Sequence, residues 1–144
     1  MKVVARNKRA QFDFEITDRL EAGLVLLGSE VKSIKQGHVS LKGSYVRFID
    51  GEPFLTNAHV SPYQSAYTQH EPLRDRKLLL KKSEIKQLIS ARQNGRHILP
   101  TQIGIKHGFI KLEIGIGTSR KKHDKRHMLK QRDAERDMAR QLKR

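Results

Sequence analysis

The chain reads as a mainly β domain with short helices, a small closed antiparallel barrel followed by a basic C-terminal tail. Three observations predict it. Apolar runs of strand length, separated by Gly-containing turns, recur through the first 119 residues. Few segments there have helical spacing, and those are short. Positive charge becomes dense after residue 119. Closure follows from the shortness of the strands, because a barrel removes the edges they would otherwise expose. A length of 144 residues leaves room for one domain and an appendage.

The elements follow in order. "QFDFEI" alternates Phe12, Phe14 and Ile16 with Asp13 and Glu15, the period of a half-buried strand with the carboxylates on its solvated face. "GLVLLG" (residues 23–28) is a continuous apolar run of buried-strand length. "SEVKSIKQG" predicts a short helix: Ser29 is a fair N-cap, Val31 and Ile34 share a face, and Gly37 ends it. Asp50-Gly51 lies between two strand-like runs and predicts a hairpin. Residues 61–76, with two prolines and few apolar side chains, predict a long exposed loop. "KKSEIKQLISARQNG" predicts a helix capped by Ser83, with Ile85, Leu88 and Ile89 inward and Gly95 at its end. His107-Gly108 then turns the chain into a strand whose Ile110, Leu112, Ile114 and Ile116 point one way and Lys111 and Glu113 the other. About six strands and two or three helices of this kind fit an OB-like barrel.

The charge divides the chain in two. Residues 120–144 hold 11 basic and 4 acidic side chains, a net of +7; residues 1–119 hold 19 and 11, a net of +8. The total of +15 points to a polyanionic partner, nucleic acid or an anionic membrane surface. Cysteine is absent, which excludes disulfides and thiolate metal sites. No apolar run approaches the roughly 20 residues of a membrane span. The start lacks a signal-peptide pattern, so a cytoplasmic protein is expected.

Catalytic signatures are lacking. Gly115-x-Gly117 has no third glycine and no following helix, and reads as strand glycine. No phosphate-cradling loop and no paired-carboxylate context is present, so no enzyme, cofactor or metal is expected. His123 and His127 have the i, i+4 spacing of metal ligands, but no Cys or Glu completes the set and the surrounding cations repel a dication. They read either as polar residues of a solvated tail or as imidazoles able to stack on RNA bases. Three basic clusters on the body make a polyanion footprint: Arg6-Asn7-Lys8-Arg9, Arg74-x-Arg76-Lys77 and Lys81-Lys82. Tyr63 and Tyr67 either stack on bases or pin the long loop, and the sequence leaves both readings open. In the tail, Arg132, Arg136, Arg140 and Arg144 recur every four residues, beside a weak apolar stripe of Ala134, Met138 and Leu142. Like charges at this spacing repel, so the tail is expected to be disordered when free and helical on an anionic partner. Fully helical, residues 120–144 would reach about 38 Å.

Assembled in order, "NKRA" (residues 7–10), "LEAG" (20–23), "GSEVKSIKQG" (28–37), "SYV" (44–46), "RDRKLLLKKSEI" (74–85) and "KKHDKR" (121–126) resemble the small protein B, or SsrA-binding protein, family over nearly the whole chain. The resemblance implies an OB-like barrel with three helices that binds the tRNA-like domain of transfer-messenger RNA. The complex rescues stalled ribosomes by trans-translation. It also implies contact with small-subunit ribosomal RNA, and with elongation factor Tu through the RNA, without a membrane.

By matching positions, Asn7 and Glu21 would lie on the RNA-binding face with Lys111 supplying charge. Leu79 would belong to the same region, although a bulky Leu is more often core. Lys8, Arg9, Arg74, Arg76 and Lys77 would join them from the basic clusters. Lys121, Lys122, His123, Asp124, Lys125 and Arg126 would sit at the decoding centre, His123 stacking on a ribosomal base, with the Arg132–Arg144 stripe following the vacant messenger channel. Two departures stand out. Ser119-Arg120-Lys121 replaces the usual Gly-Lys-Lys, so the tail hinge is expected to be stiffer or to fall at Gly115 or Gly117. Gln69-His70-Glu71-Pro72 replaces Asn-x-Asp-Pro ahead of "RKLLL". The rival readings are a ribosomal protein whose tail threads RNA during assembly and an RNA-processing enzyme.

Overall fold

A computed structural model describes residues 1–64, 69–120, 129–132 and 136. Residues 1–120 hold, among those described, nine strands and three helices. The long strands are β2 (Phe14–Leu24), β8 (His97–Lys106) and β9 (Phe109–Ser119); the shorter ones are β1 (Lys2–Arg6), β4 (Tyr45–Ile49), β5 (Glu52–Thr56) and β7 (Arg76–Leu79). These seven pair antiparallel in the order β1-β8-β9-β2-β7-β5-β4. Two residues each of β3 (Val39–Ser40) and β6 (His59–Val60) form a separate ribbon.

The expected closed barrel is not formed. β1 and β4 end the sheet without pairing to each other. Their edges are managed locally instead. β1 is flanked by exposed Lys2 and Arg6 and its register shifts between Val3 and Ala5, while β4 carries exposed Arg47. The core inside the curved sheet contains Ala22, Val46, Leu55, Leu78, Ile103, Leu112, Ile114 and Ile116. Ile34 of helix α2 (Gly28–Lys35) and Leu88 of α3 (Lys82–Gln93) close over it.

Both predicted hairpin turns form. Asp50 and Gly51 (φ 50° and 79°) and His107 and Gly108 (φ 51° and 80°) take the left-handed pairs that match strand twist. Gly37 and Gly95 end α2 and α3 with positive φ as expected. The caps differ from prediction. Glu30 accepts the Leu27 N–H at 2.8 Å and Glu84 the Lys81 N–H at 2.8 Å, so these carboxylates three residues in, rather than Ser29 and Ser83, satisfy the helix starts.

The N-terminal elements also differ. Residues 8–13 form helix α1 (Lys8–Asp13), which takes Phe12 out of the predicted strand. The apolar run at 23–28 contributes only its first two residues to β2 and then leaves the sheet, with Val25 and Leu27 about half exposed. β2 is one strand of 11 residues, bulged between Ile16 and Asp18. Gly117 lies so close beneath the bulge that a Cβ there would be 2.2 Å from the Glu15 carbonyl oxygen. Gly115 and Gly117 are paired strand residues, and Arg120 still donates its N–H to Asp13 O at 2.9 Å. Neither glycine is therefore a hinge.

Candidate nucleic-acid interface

The site residues separate into three places. On the face of the sheet opposite the core, Gly23 of β2 lies between Leu79 of β7 and Lys111 of β9 in register. The missing side chain lets Leu79 lie across β2: a Cβ at Gly23 would meet the Leu79 Cβ at 3.3 Å. Leu79 is therefore 53 % exposed, a surface residue despite its bulk. It lines a cleft of about 230 Å³ with Lys111, Leu26, Phe109 and Val31. Two residues before Gly23, Glu21 takes Lys106 Nζ at 3.1 Å, and Arg19 meets Glu113 at 3.7 Å. Leu79, Lys111 and Glu21 thus share one face.

Phe109, 70 % exposed and lining the same cleft, is not among the residues that the sequence reading singles out. The signal was its place beside His107-Gly108, at a hairpin tip where a core residue has nothing to bury against.

Asn7, Lys8 and Arg9 stand at a second place. Asn7 is buried: its Nδ2 donates to Pro100 O at 2.9 Å and its Oδ1 accepts the Ala10 N–H at 3.3 Å. It starts α1 and fixes it to β8, and so presents Lys8 and Arg9, both exposed, to solvent. Arg9 is held loosely by Asp13 at 3.4 Å.

The third place is interior. Arg76 is 1 % exposed and binds the fully buried Glu30 through Nε; its Nη1 donates to Ala58 O at 2.8 Å and its Nη2 to Pro72 O at 3.1 Å. Arg74 Nη2 reaches the other Glu30 oxygen at 2.5 Å. Burial alone would raise the Glu30 carboxyl. Hydrogen bonds from Arg74, the Leu27 amide and Arg76 outweigh it and hold the group below the usual carboxylate value of 4.5. Burial pulls the Arg76 guanidinium down, opposed by Glu30. Of the predicted "RDRK" cluster, Arg76 is thus a framework residue, Arg74 is one-third exposed, and Lys77 pairs with Glu52 at 3.1 Å.

The 61–76 segment is long, as expected, but not wholly exposed. His70 is buried, its Nε2 donating to Val60 O at 2.8 Å and its Nδ1 paired with Ser29 Oγ at 2.7 Å. Lys32 sits over the Tyr63 ring at 5.4 Å, which favours the pinning role for Tyr63; Tyr67 lies outside the described residues.

In the tail, residues 129–132 and 136 are helical, which includes Arg132 and Arg136. Lys121, Lys122, His123, Asp124, Lys125, Arg126, His127, Arg140 and Arg144 lie outside the described residues. Among the described residues no group of three or more His, Asp or Glu side chains could hold a metal ion, and no helix is long and apolar enough to cross a membrane.

A model of the SmpB protein family matches residues 4–144. The chain belongs to the SmpB family. Among curated SsrA-binding proteins it is 46% identical to that of an Exiguobacterium species, over 97% of this chain and 91% of the relative. It is 44% identical to that of Thermosynechococcus vestitus, over 99% and 96%, and 46% to that of Listeria monocytogenes, over 99% and 94%. A solved chain described as "tmRNA-SmpB: a journey to the center of the bacterial ribosome" is 39% identical and superposes with a TM-score of 0.67, covering 82% of this chain and 85% of that one. The structure of this SmpB-family chain thus holds two exposed patches, one with Glu21, Leu79 and Lys111 and one with Lys8 and Arg9, and a separate buried ionic frame.

Proposed function

We propose that this chain binds the tRNA-like domain of transfer-messenger RNA and delivers it to stalled ribosomes for trans-translation. The observation that carries this reading is the family match, which runs through body and tail alike from residue 4 to residue 144. Residues 1–119 act as an OB-like RNA-binding body. Glu21, Leu79 and Lys111 present one contact face, while Lys8 and Arg9, positioned by buried Asn7, present another.

Residues 120–144 act as the second part, disordered when free and helical in the vacant messenger channel. His123 stacks at the decoding centre beside Lys121, Lys122, Asp124, Lys125 and Arg126, and Arg132, Arg136, Arg140 and Arg144 follow the channel. Ribosomal RNA of the small subunit is then the second partner, and elongation factor Tu is engaged through the bound RNA. The protein makes and breaks no bond; it recognises and positions.

Binding of the isolated tRNA-like RNA, measured against salt, tests the reading. Affinity should fall linearly with log salt, and Lys111→Ala should flatten the slope by about one phosphate contact. Affinity for this RNA no greater than for an unrelated duplex of equal length would overturn it.

A further inference from the structure

A cavity of about 430 Å³ opens between β1, the start of α1 and the β3 segment. It arises because Asn7, tied to Pro100, turns the chain out of the sheet edge into α1. Its floor is apolar, formed by Leu41 (1 % exposed), Val39, Ala5 and Phe12. Its rim is cationic, formed by Arg6, Lys8, Arg9 and Lys42, with Arg132 of the tail also reaching it. Among the described residues only Arg9 of these five has a carboxylate partner within ion-pair distance, at 3.4 Å. The volume lies within the ~300–1,000 Å³ range of small-ligand sites.

We propose that this cavity receives one unpaired nucleotide of the bound RNA, its base against the apolar floor and its flanking phosphates on the rim. The inference rests on the RNA-binding reading above and names what that RNA puts there. The charge pattern selects the occupant. An apolar peptide would leave the rim cations without counter-charge, and the tail residue that reaches the mouth, Arg132, adds a further cation where an anion is wanted. A splayed nucleotide supplies both a flat apolar ring and an adjacent anion, the combination that single-stranded RNA offers and a helical stem does not.

The test uses the full-length chain, followed through its Val39 and Leu41 methyl resonances. Millimolar adenosine 5′-monophosphate should shift both methyls, whereas inorganic phosphate should perturb the Lys and Arg neighbours and leave the methyls in place. Methyls that ignore the nucleotide, or respond equally to phosphate alone, overturn the inference by reducing the site to a charged rim. Methyls that ignore the nucleotide in the full chain but respond to it once residues 121–144 are deleted overturn it in favour of the tail as occupant.

Ser40→Trp, at an exposed position on the mouth, should fill the site and lower affinity for the tRNA-like RNA about tenfold without altering net charge or the thermal midpoint. Unchanged RNA affinity in that variant sinks the pocket while leaving the RNA-binding reading intact. Failure of the unmodified protein to bind this RNA sinks that reading itself.

Discussion

Glu30 is the residue on which the frame turns. It is fully buried, caps α2 through the Leu27 amide and holds Arg74 and Arg76, so one carboxylate joins a helix start, the long loop and β7. Glu30→Gln keeps the shape but leaves the buried Arg76 cation without its counter-charge. The expected loss is about 3–5 kcal/mol, read from urea unfolding. Because the folded Glu30 is held below its ordinary value, its contribution is complete above the unfolded value of 4.5 and is lost as pH falls through the lower folded one. The native protein should therefore lose stability on acidification below that value, and Glu30→Gln should show a flatter acid limb. An identical acid limb in the two proteins would show that Glu30 is not the group responsible. His70 serves the same frame from the other side of α2, holding Ser29 to Val60. His70 occupies the unspecified position of the family's Asn-x-Asp-Pro, between the two departures Gln69 and Glu71, and is buried there.

Among the elements, those with one unbroken period and a turn at each end were legible in the sequence: the hairpin at Asp50-Gly51, the β8–β9 hairpin, α2 and α3. β2 was not, for a definite reason. The bulge between Ile16 and Asp18 exchanges the faces of the strand. Ile16 packs over Gly115 on one side, whereas Leu20 and Ala22 beyond the bulge face the core beside Ile114 and Leu112. A single alternating pattern therefore cannot run through it. α1 was hidden because Phe12 alternates with Phe14 across a helix–strand boundary that only Asn7's long-range bond to Pro100 reveals. Sheet closure was unreadable too, since local sequence does not say whether the end strands meet. In the candidate site, motif positions named Leu79 and Lys111, which the structure brings to one face, whereas charge alone grouped with them Arg76, which is buried against a partner 46 positions away.

The bulge carries its own test. Gly117→Ala drives a methyl into the Glu15 carbonyl, and the paired backbone cannot yield as a side-chain tip could. A cost of at least about 1–3 kcal/mol is expected, while Gly28→Ala, with nothing within 4 Å, should cost far less. Equal thermal midpoints for the two variants would remove the bulge from the account.

At the scale of the whole molecule, the open question is whether body and tail act separately. The body's hydrogen bonding extends to Arg120, whose N–H meets Asp13 and whose guanidinium reaches Gln11 O at 3.4 Å, so the natural cut falls after Arg120 rather than before it. Cutting there removes none of the core residues, and neither Lys111 nor Leu79. It does remove six net positive charges, since residues 121–144 hold 10 basic and 4 acidic side chains. If the body alone grips the tRNA-like RNA, the shortened protein should keep its thermal midpoint and lose no more than a few-fold in affinity. Peptide tagging on stalled ribosomes should be abolished if, as proposed, residues 121–144 are the part that enters the messenger channel. His123→Ala in the full chain separates charge from stacking: net charge with neutral imidazole is unchanged, so impaired tagging with normal RNA affinity isolates the ring. Tagging and affinity that fall together in the shortened protein would make the tail part of the RNA grip. The two-part organisation would then give way to one continuous RNA-binding surface.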